Sequence, residues 1–168
     1  MAVTSTLPVF EPDLAGRPPL QTRVMDAMDP ESRQDYLYLR NRPAGKKPPV
    51  DLAMLYKHDT DLERAFAAAG GLLLNGPDPT GNGAVVPGFG DQRGIELLVE
   101  AGFPPLEAIR IGTLNGAVYM GKQDRIGSVA VGKDADLMVM KGNPAEKISD
   151  IENVEIVFKD GVDYDSQK

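Results

Sequence analysis

The stretch Gly71–Gly83, GLLLNGPDPTGNG, decides how the chain is read. Its apolar run, Leu72-Leu73-Leu74, is too short for a helix and shows no alternation. Bounded by glycines, such a run reads as a strand, Leu72–Asn75, of the kind buried in a parallel sheet. The segment after it holds a single carboxylate, Asp78, between Pro77 and Pro79, and then a loop dense in glycine. Taken alone, an aspartate between prolines and before Thr-Gly is a turn residue. Its alternative reading, as part of an active site, depends on what surrounds it.

Upstream, Leu52, Leu55, Leu62, Phe66 and Ala69 recur at spacings near 3.6 and predict an amphipathic helix. Asp51 suits its N-cap, and Gly70-Gly71 stop it. Downstream, Asp91 can cap a helix carrying Ile95, Leu97, Leu98 and Ala101, closed by Gly102. A second helix is expected over Pro105–Ile111, with proline at its first position. A third runs from a Thr113 cap to Met120, closed by Gly121.

Further out, Ala2–Phe10 is rich in β-branched residues and predicts a strand stopped by Pro8 and Pro12. A loop follows it. Pro19 to about Arg40 reads as helix in two pieces, broken near Asp29-Pro30. Asn41–Pro49 reads as a loop or lid, with Lys46-Lys47 solvated. After Gly121 the pattern turns to β. Short strands are expected near Ile126–Val129 and Asp136–Met140, joined by Gly132-Lys133-Asp134. VEIVFKDGVDY, 154–164, is a hairpin signature with a Lys-Asp-Gly turn. No internal repeat is visible. The order suggests the end of an α/β array. Two βα units cannot close a barrel, and a lone parallel pair leaves bare edges. Met1 stands directly before a strand-like run, which reads as a start inside a longer pattern.

Composition bounds the function. The 168 residues suit one domain or a piece of a larger one, and 42% are hydrophobic, enough for a core. The formal net charge is −7, from 25 acids against 18 bases, and no basic block exceeds two residues. Nucleic-acid binding is therefore not expected, nor is attraction to an anionic membrane. With no cysteine there is no disulfide framework and no thiolate metal site. The N-terminus lacks the basic start and long apolar core of a signal peptide. Compartment is not legible.

From Asp78 onward the chain resembles the C-terminal end of a metal-dependent amidohydrolase, in the imidazolonepropionase-like and Xaa-Pro-dipeptidase-like branch. The motifs that carry this come in order: EAIR (107–110) with TLNGA (113–117), DRIGSV (124–129) with GKDADLMV (132–139), and VFKDG (157–161). The resemblance covers Gly70–Tyr164 and extends back over Ala2–Ala69. It implies a fold class of α/β, with part of a (β/α)8 barrel followed by the C-terminal share of a small β-sandwich. Ala2–Phe10 would be barrel strand seven and Leu72–Asn75 strand eight. Residues 1–121 would be the barrel part and 122–168 the sandwich segment. A complete barrel alone takes roughly 250 residues.

The resemblance also assigns chemistry. In the family, the carboxylate at the end of strand eight binds a divalent metal, zinc by expectation, and takes a proton from metal-bound water. Asp78 matches that position, although Pro77 stands where Thr or Ser is common. The implied reaction is hydrolysis of a non-peptide or dipeptide C–N amide bond in a small substrate. Asn82 and Gly83, in the loop after Asp78, are the expected substrate-binding residues. Gln92 is a further polar candidate; solvated loop groups are the alternative for these polar side chains. GNGAVV (81–86) lacks the third glycine of a dinucleotide loop.

The family's other metal ligands are a His-x-His pair on strand one, a Lys or Glu on strand four, and histidines on strands five and six. None is in this chain. A catalytic zinc takes typically three protein ligands, and the single histidine, His58, reads as a surface residue. The chain alone is expected to be inactive and to hold no metal tightly. The alternative is a non-catalytic module that self-associates, or pairs with a chain supplying the missing strands. Asp134 and Asp136 are expected to be structural, and Arg110 and Asn115 to tie helix ends to the barrel rim.

Overall fold

A computed structural model describes residues 1–14, 22–41, 51–79 and 85–165. The fold is mixed α/β. In order come β1 (Ala2–Ser5), α1 (Leu7–Phe10), a 3-10 turn (Glu11–Asp13), α2 (Thr22–Asp26), α3 (Pro30–Asn41), α4 (Leu52–Ala68), β2 (Leu72–Asn75), α5 (Phe89–Glu100), α6 (Pro105–Gly112) and α7 (Leu114–Tyr119). Then β3 (Leu137–Met140), a second 3-10 turn (Ile148–Glu152), β4 (Val154–Lys159) and β5 (Val162–Asp165) complete it. No described helix is long and apolar enough to cross a membrane.

The apolar run Leu72–Asn75 forms a strand, and it pairs in parallel with β1, Val3 opposite Leu73 and Ser5 opposite Asn75. Side chains alternate across a strand. Val3, Ser5, Leu73 and Asn75 therefore share one face, which the helices cover at Ser5 and Leu73 and leave exposed at Val3. Leu73 and Ser5 are each 1% exposed. The other face carries Ala2, Thr4, Leu72 and Leu74. Thr4 is exposed and the other three are half-buried, so this face has no covering layer among the described residues. A parallel pair normally has both faces covered.

The core joins Leu7 of α1, Leu73, three residues of α5 (Ile95, Leu97, Leu98), Phe103, Ala108 and Ile111 of α6, and Ile151. Ile151 belongs to the second 3-10 turn, so the β-rich end of the chain reaches into the helical core. Arg93 of α5 locks the N-terminal end down. Its guanidinium donates to Glu11 through Nε and Nη2 and also pairs with Glu96 and Glu100. Burial works against the Arg93 charge, but these carboxylates outweigh it and hold the group more firmly protonated than usual.

Several local expectations hold for stated reasons. The Asp51 side chain accepts from the Ala53 and Met54 N–H groups at the start of α4. Gly70, Gly102 and Gly121 each follow a helix with positive φ, where a Cβ is disfavoured. Asp29 accepts from Glu31 and Ser32, separating α2 from α3. The β4–β5 hairpin turns on Asp160-Gly161, both at positive φ, as a two-residue turn of this hand requires. The Asp136 carboxylate takes the Asp160 N–H and the Lys159 ammonium. Those bonds, the backbone one foremost, hold it below the usual carboxylate range. Asp136 is thus structural, and Asp134 pairs with Arg125.

Other expectations need correcting. The strand predicted over Ala2–Phe10 ends at Ser5, and Pro8 stands in the first turn of α1, where a missing N–H costs nothing. Ile126–Val129 forms no strand. Lys133 Nζ binds the Gln123 and Ile126 carbonyls and the Ser128 hydroxyl, folding the segment into a tight loop around itself. On α4 the expected apolar stripe is only partly the packed face: Leu62 is 69% exposed, while Tyr56, Phe66 and Ala67 pack against the core. α5 begins at Phe89, with Gly88 as its cap and Asp91 in its first turn. Thr113 holds the cap position of α7, but its hydroxyl donates back to the Ile109 carbonyl. The expected 41–49 loop lies almost wholly outside the described residues.

Candidate functional site

The segment after β2 is shaped by close packing. A Cβ on Gly76 would meet the Thr4 methyl, and one on Gly90 would meet Val85 and Pro77. Pro77 can therefore lie against the start of α5 because Gly90 has no side chain. Asp78 comes next, exposed, with φ at 46°. Aspartate is among the few non-glycine residues that adopt this left-handed conformation, at a cost of roughly 1–3 kcal/mol. Asp160 adopts the same conformation in the β4–β5 turn, so the backbone at Asp78 is that of a turn residue.

Two asparagines hold β2 in place, and of these the sequence reading singled out Asn115 and passed over Asn75. Asn75 Nδ2 donates to the Asp91 carbonyl at 3.1 Å, spanning from the strand end to α5. A Cβ on Gly94 would overlap Asn75, so glycine is required there. Asn115 Nδ2 donates to the Leu73 carbonyl at 2.8 Å from a buried position on α7. That fixes the helix to the strand, as expected for Asn115. Arg110 instead pairs, among the described residues, with Glu107 on its own helix. The signal for Asn75 was visible: a polar residue closing an apolar run in LLLN. Burial pushes the Asp91 carboxyl above its ordinary range, with the Gly88 backbone pulling the other way.

The predicted residues are brought together only in part. Asp78 lies just past the C-terminal end of β2. Gln92 is half-buried in the first turns of α5, and its Oε1 is enclosed without a hydrogen-bond partner. Asn82 and Gly83 lie outside the described residues. His58 is exposed on α4. Among the described residues, no three His, Asp or Glu side chains converge in a way that could hold a metal ion. A cleft of about 540 Å³ lies between the second half of α4 and the α5–α6 connection, lined by Arg64, Ala68, Phe103 and Glu107. No residue of β2 or of Gly76–Pro79 lines it.

Comparison with known proteins gives this geometry a context. The sequence profile of the Amidohydrolase family matches residues 88–162. An adenine deaminase of Ligilactobacillus salivarius is 38% identical over 69 residues, which is 41% of this chain and 12% of that protein. The crystal structure of a Xaa-Pro dipeptidase with methionine bound in its active site is similar with a TM-score of 0.59 and 34% identity. That match covers 68% of this chain and 27% of the dipeptidase. Aspergillus niger ochratoxinase shares the fold alone, with a TM-score of 0.64 and 23% identity, over 99% of this chain and 32% of its own. The chain spans about a third or less of each protein it matches. Residues 88–162 thus carry the Amidohydrolase profile, and the chain as a whole is similar in fold to part of several amidohydrolases.

Proposed function

We propose that the chain supplies the last two strand–helix units of an amidohydrolase barrel, residues 1–121, and the C-terminal share of its β-sandwich, residues 122–168. In that reading β1 and β2 are neighbouring barrel strands, and their uncovered face points into the barrel. Asp78, at the C-terminal end of the last strand, is one ligand of a divalent metal centre that hydrolyses a C–N bond in a small amide substrate. Active sites of such barrels stand at that end of the strands. The observation that carries the reading is the parallel β1–β2 pair, helix-covered on one face, open on the other, and leading into a strained aspartate.

The described residues by themselves do not fit the metal. Asp78 is one carboxylate where a catalytic zinc takes typically three protein ligands. The chain's part in the chemistry is to position that carboxylate, through the Asn75 and Asn115 anchors, for a centre completed by other strands. Zinc is the expected metal. Asn82 and Gly83 would face the substrate from the loop after Asp78.

The test is to offer the purified chain zinc or manganese with Xaa-Pro dipeptides and N-acyl amides. The expected result is no metal-dependent turnover. Turnover would mean that the chain completes a site unaided and would overturn this account. The positive arm reads the frame upstream of the Met1 codon for a His-x-His strand and later histidines. In the extended protein, Asp78→Asn should abolish tight metal binding.

The same open face favours a second reading, in which the chain is a non-catalytic module that self-associates or pairs with a complementing chain. Unpaired strand edges seek partners. Gel filtration with light scattering separates the two readings. A defined dimer or a stoichiometric partner supports the module, and a cleanly unfolding monomer counts against it.

A further inference from the structure

Two segments leave the β1–β2 pair at the same end, because the strands are parallel. One is residues 7–13, the short helix and 3-10 turn after β1, and the other is residues 76–79, with Asp78, after β2. At that end the Gly76 N–H donates to the Ser5 carbonyl at 2.9 Å, and the two strands then part. The start of α5 lies against both exits. Toward β2, the Asp91 carbonyl accepts from Asn75 Nδ2 at 3.1 Å, and Gly94 leaves room for that side chain. Gly90, one turn earlier on the same helix face, leaves room for Pro77.

Toward β1, Arg93 donates to Glu11 at 3.1 Å through Nε and at 2.7 Å through Nη2, across 82 residues of sequence. The Glu11 side chain is 4% exposed, so this contact is shielded from water. Glu96 and Glu100, both on α5, hold the same guanidinium from its own helix. Burying charges costs desolvation that their attraction only partly offsets. What a two-point arginine–carboxylate contact adds beyond that balance is direction: it fixes an orientation as well as a distance. Of the three carboxylates, Glu11 is the one that belongs to the other strand exit.

We propose that Arg93 is a positioning residue for the site: through Glu11 it ties the exit of β1 to the helix that seats the exit of β2, and so sets where Asp78 stands relative to the segment after β1. The inference deepens the proposed function and rests on it for the role of Asp78. Its importance follows from the sensitivity of such centres to placement. A group displaced by about 1 Å can cost roughly 100-fold in rate. Asn75 and Asn115 fix β2 to the helices, but neither reaches the segment after β1. Arg93 supplies that missing tie, and Glu96 and Glu100 aim it.

Hydrogen exchange in the unaltered chain and in two variants tests it. Glu11→Gln removes the charge from the contact between the exits and leaves Arg93 its partners on α5. Glu100→Gln removes a partner on α5 and leaves the contact between the exits. The readout is the Gly76 amide, which closes β1 on β2 at the Asp78 end, against the Ile111 amide in the core. Glu11→Gln should speed Gly76 exchange about tenfold relative to Ile111, the scale of a lost charged hydrogen bond, and should shift the backbone NMR signals of Asp78. Glu100→Gln should leave that ratio and those signals in place. A role in stability alone would speed both amides by the same factor. An unchanged ratio in Glu11→Gln, or an equal change in Glu100→Gln, overturns the proposal. If Glu11→Gln does not fold, Arg93→Lys replaces it, since it keeps the charge and loses the paired Nε and Nη2 donors; an unchanged ratio there overturns the proposal equally. The reading of Asp78 fails by a different sign, tight metal binding that survives Asp78→Asn in the extended protein.

Discussion

The two sheets of this chain are held together by opposite means. The β3–β4–β5 sheet is antiparallel and local: β4 and β5 are joined by two residues, and the turn sets their register. The β1–β2 sheet is parallel, and its strands are separated in sequence by α1 to α4. No turn can set its register. The helix-covered face does so instead, through Leu73 in the core, Asn115 on the Leu73 carbonyl and Asn75 on α5. A sheet fixed by its turn needs little from its faces, while one fixed from a single face leaves the other free for a different use. In this chain the free face is the one on the Asp78 side of the proposed barrel.

That contrast can be broken at graded cost. The largest effect is expected from Arg93→Met. It removes the guanidinium that the nearly fully buried Glu11 and Glu96 share. Removing one partner of such a set costs about 3–5 kcal/mol. Urea unfolding should show the loss, and β1 should lose protection with the helices because Glu11 follows it. Leu73→Ala should cost about 2–5 kcal/mol by emptying a fully buried core position. The β3–β5 hydrogen-exchange pattern should barely change. A loss of protection shared equally by both sheets would show that they are one cooperative unit.

Asn115→Ala sharpens the comparison further. It leaves the buried Leu73 carbonyl without its side-chain donor, at about 1–3 kcal/mol. The effect should appear on β2 and α7 alone. The smallest effect is expected on the other sheet. Gly161→Ala places a Cβ at φ 81°, at a cost of about 1 kcal/mol. NMR shifts should move across β4 and β5 and leave β1 and β2 unaltered.

The same contrast explains what could be read from the sequence. The hairpin was legible because Lys-Asp-Gly is local turn chemistry. The ends of α4 were legible because Asp51 and Gly70 act on neighbouring backbone. β2 was legible as a buried strand from its composition, and its order in the chain gave the α/β class. β1 was overextended to Phe10, because β-branched residues outweighed Pro8, which suits a helix start equally well. Ile126–Val129 looked like a strand for the same reason. The Lys133 ammonium, seven residues from Ile126, instead gathers the Gln123 and Ile126 carbonyls and the Ser128 hydroxyl into a loop. The packed face of α4 was misjudged because Leu55 and Leu62 are apolar but face outward.

At the candidate site Asp78 was singled out by resemblance alone, since its flanking prolines by themselves read as a turn. Its φ of 46° was not legible, since Pro77 and Pro79 are compatible with several turns. Asn75 and Asn115 act through partners 16 and 42 residues away, a separation at which spacing carries no signal.

Ile151 has a mechanical meaning. A load applied at β5 would first peel the β4–β5 hairpin, where hydrogen bonds open one after another at low force. β4 would follow, and the tension would then arrive at the short turn that places Ile151 among Leu97, Leu98 and Ile111. There the side chain must leave a packed cavity in a single movement. An extension trace should accordingly show a soft ramp that ends in one sharp rupture, and Ile151→Ala should remove the rupture and leave the ramp.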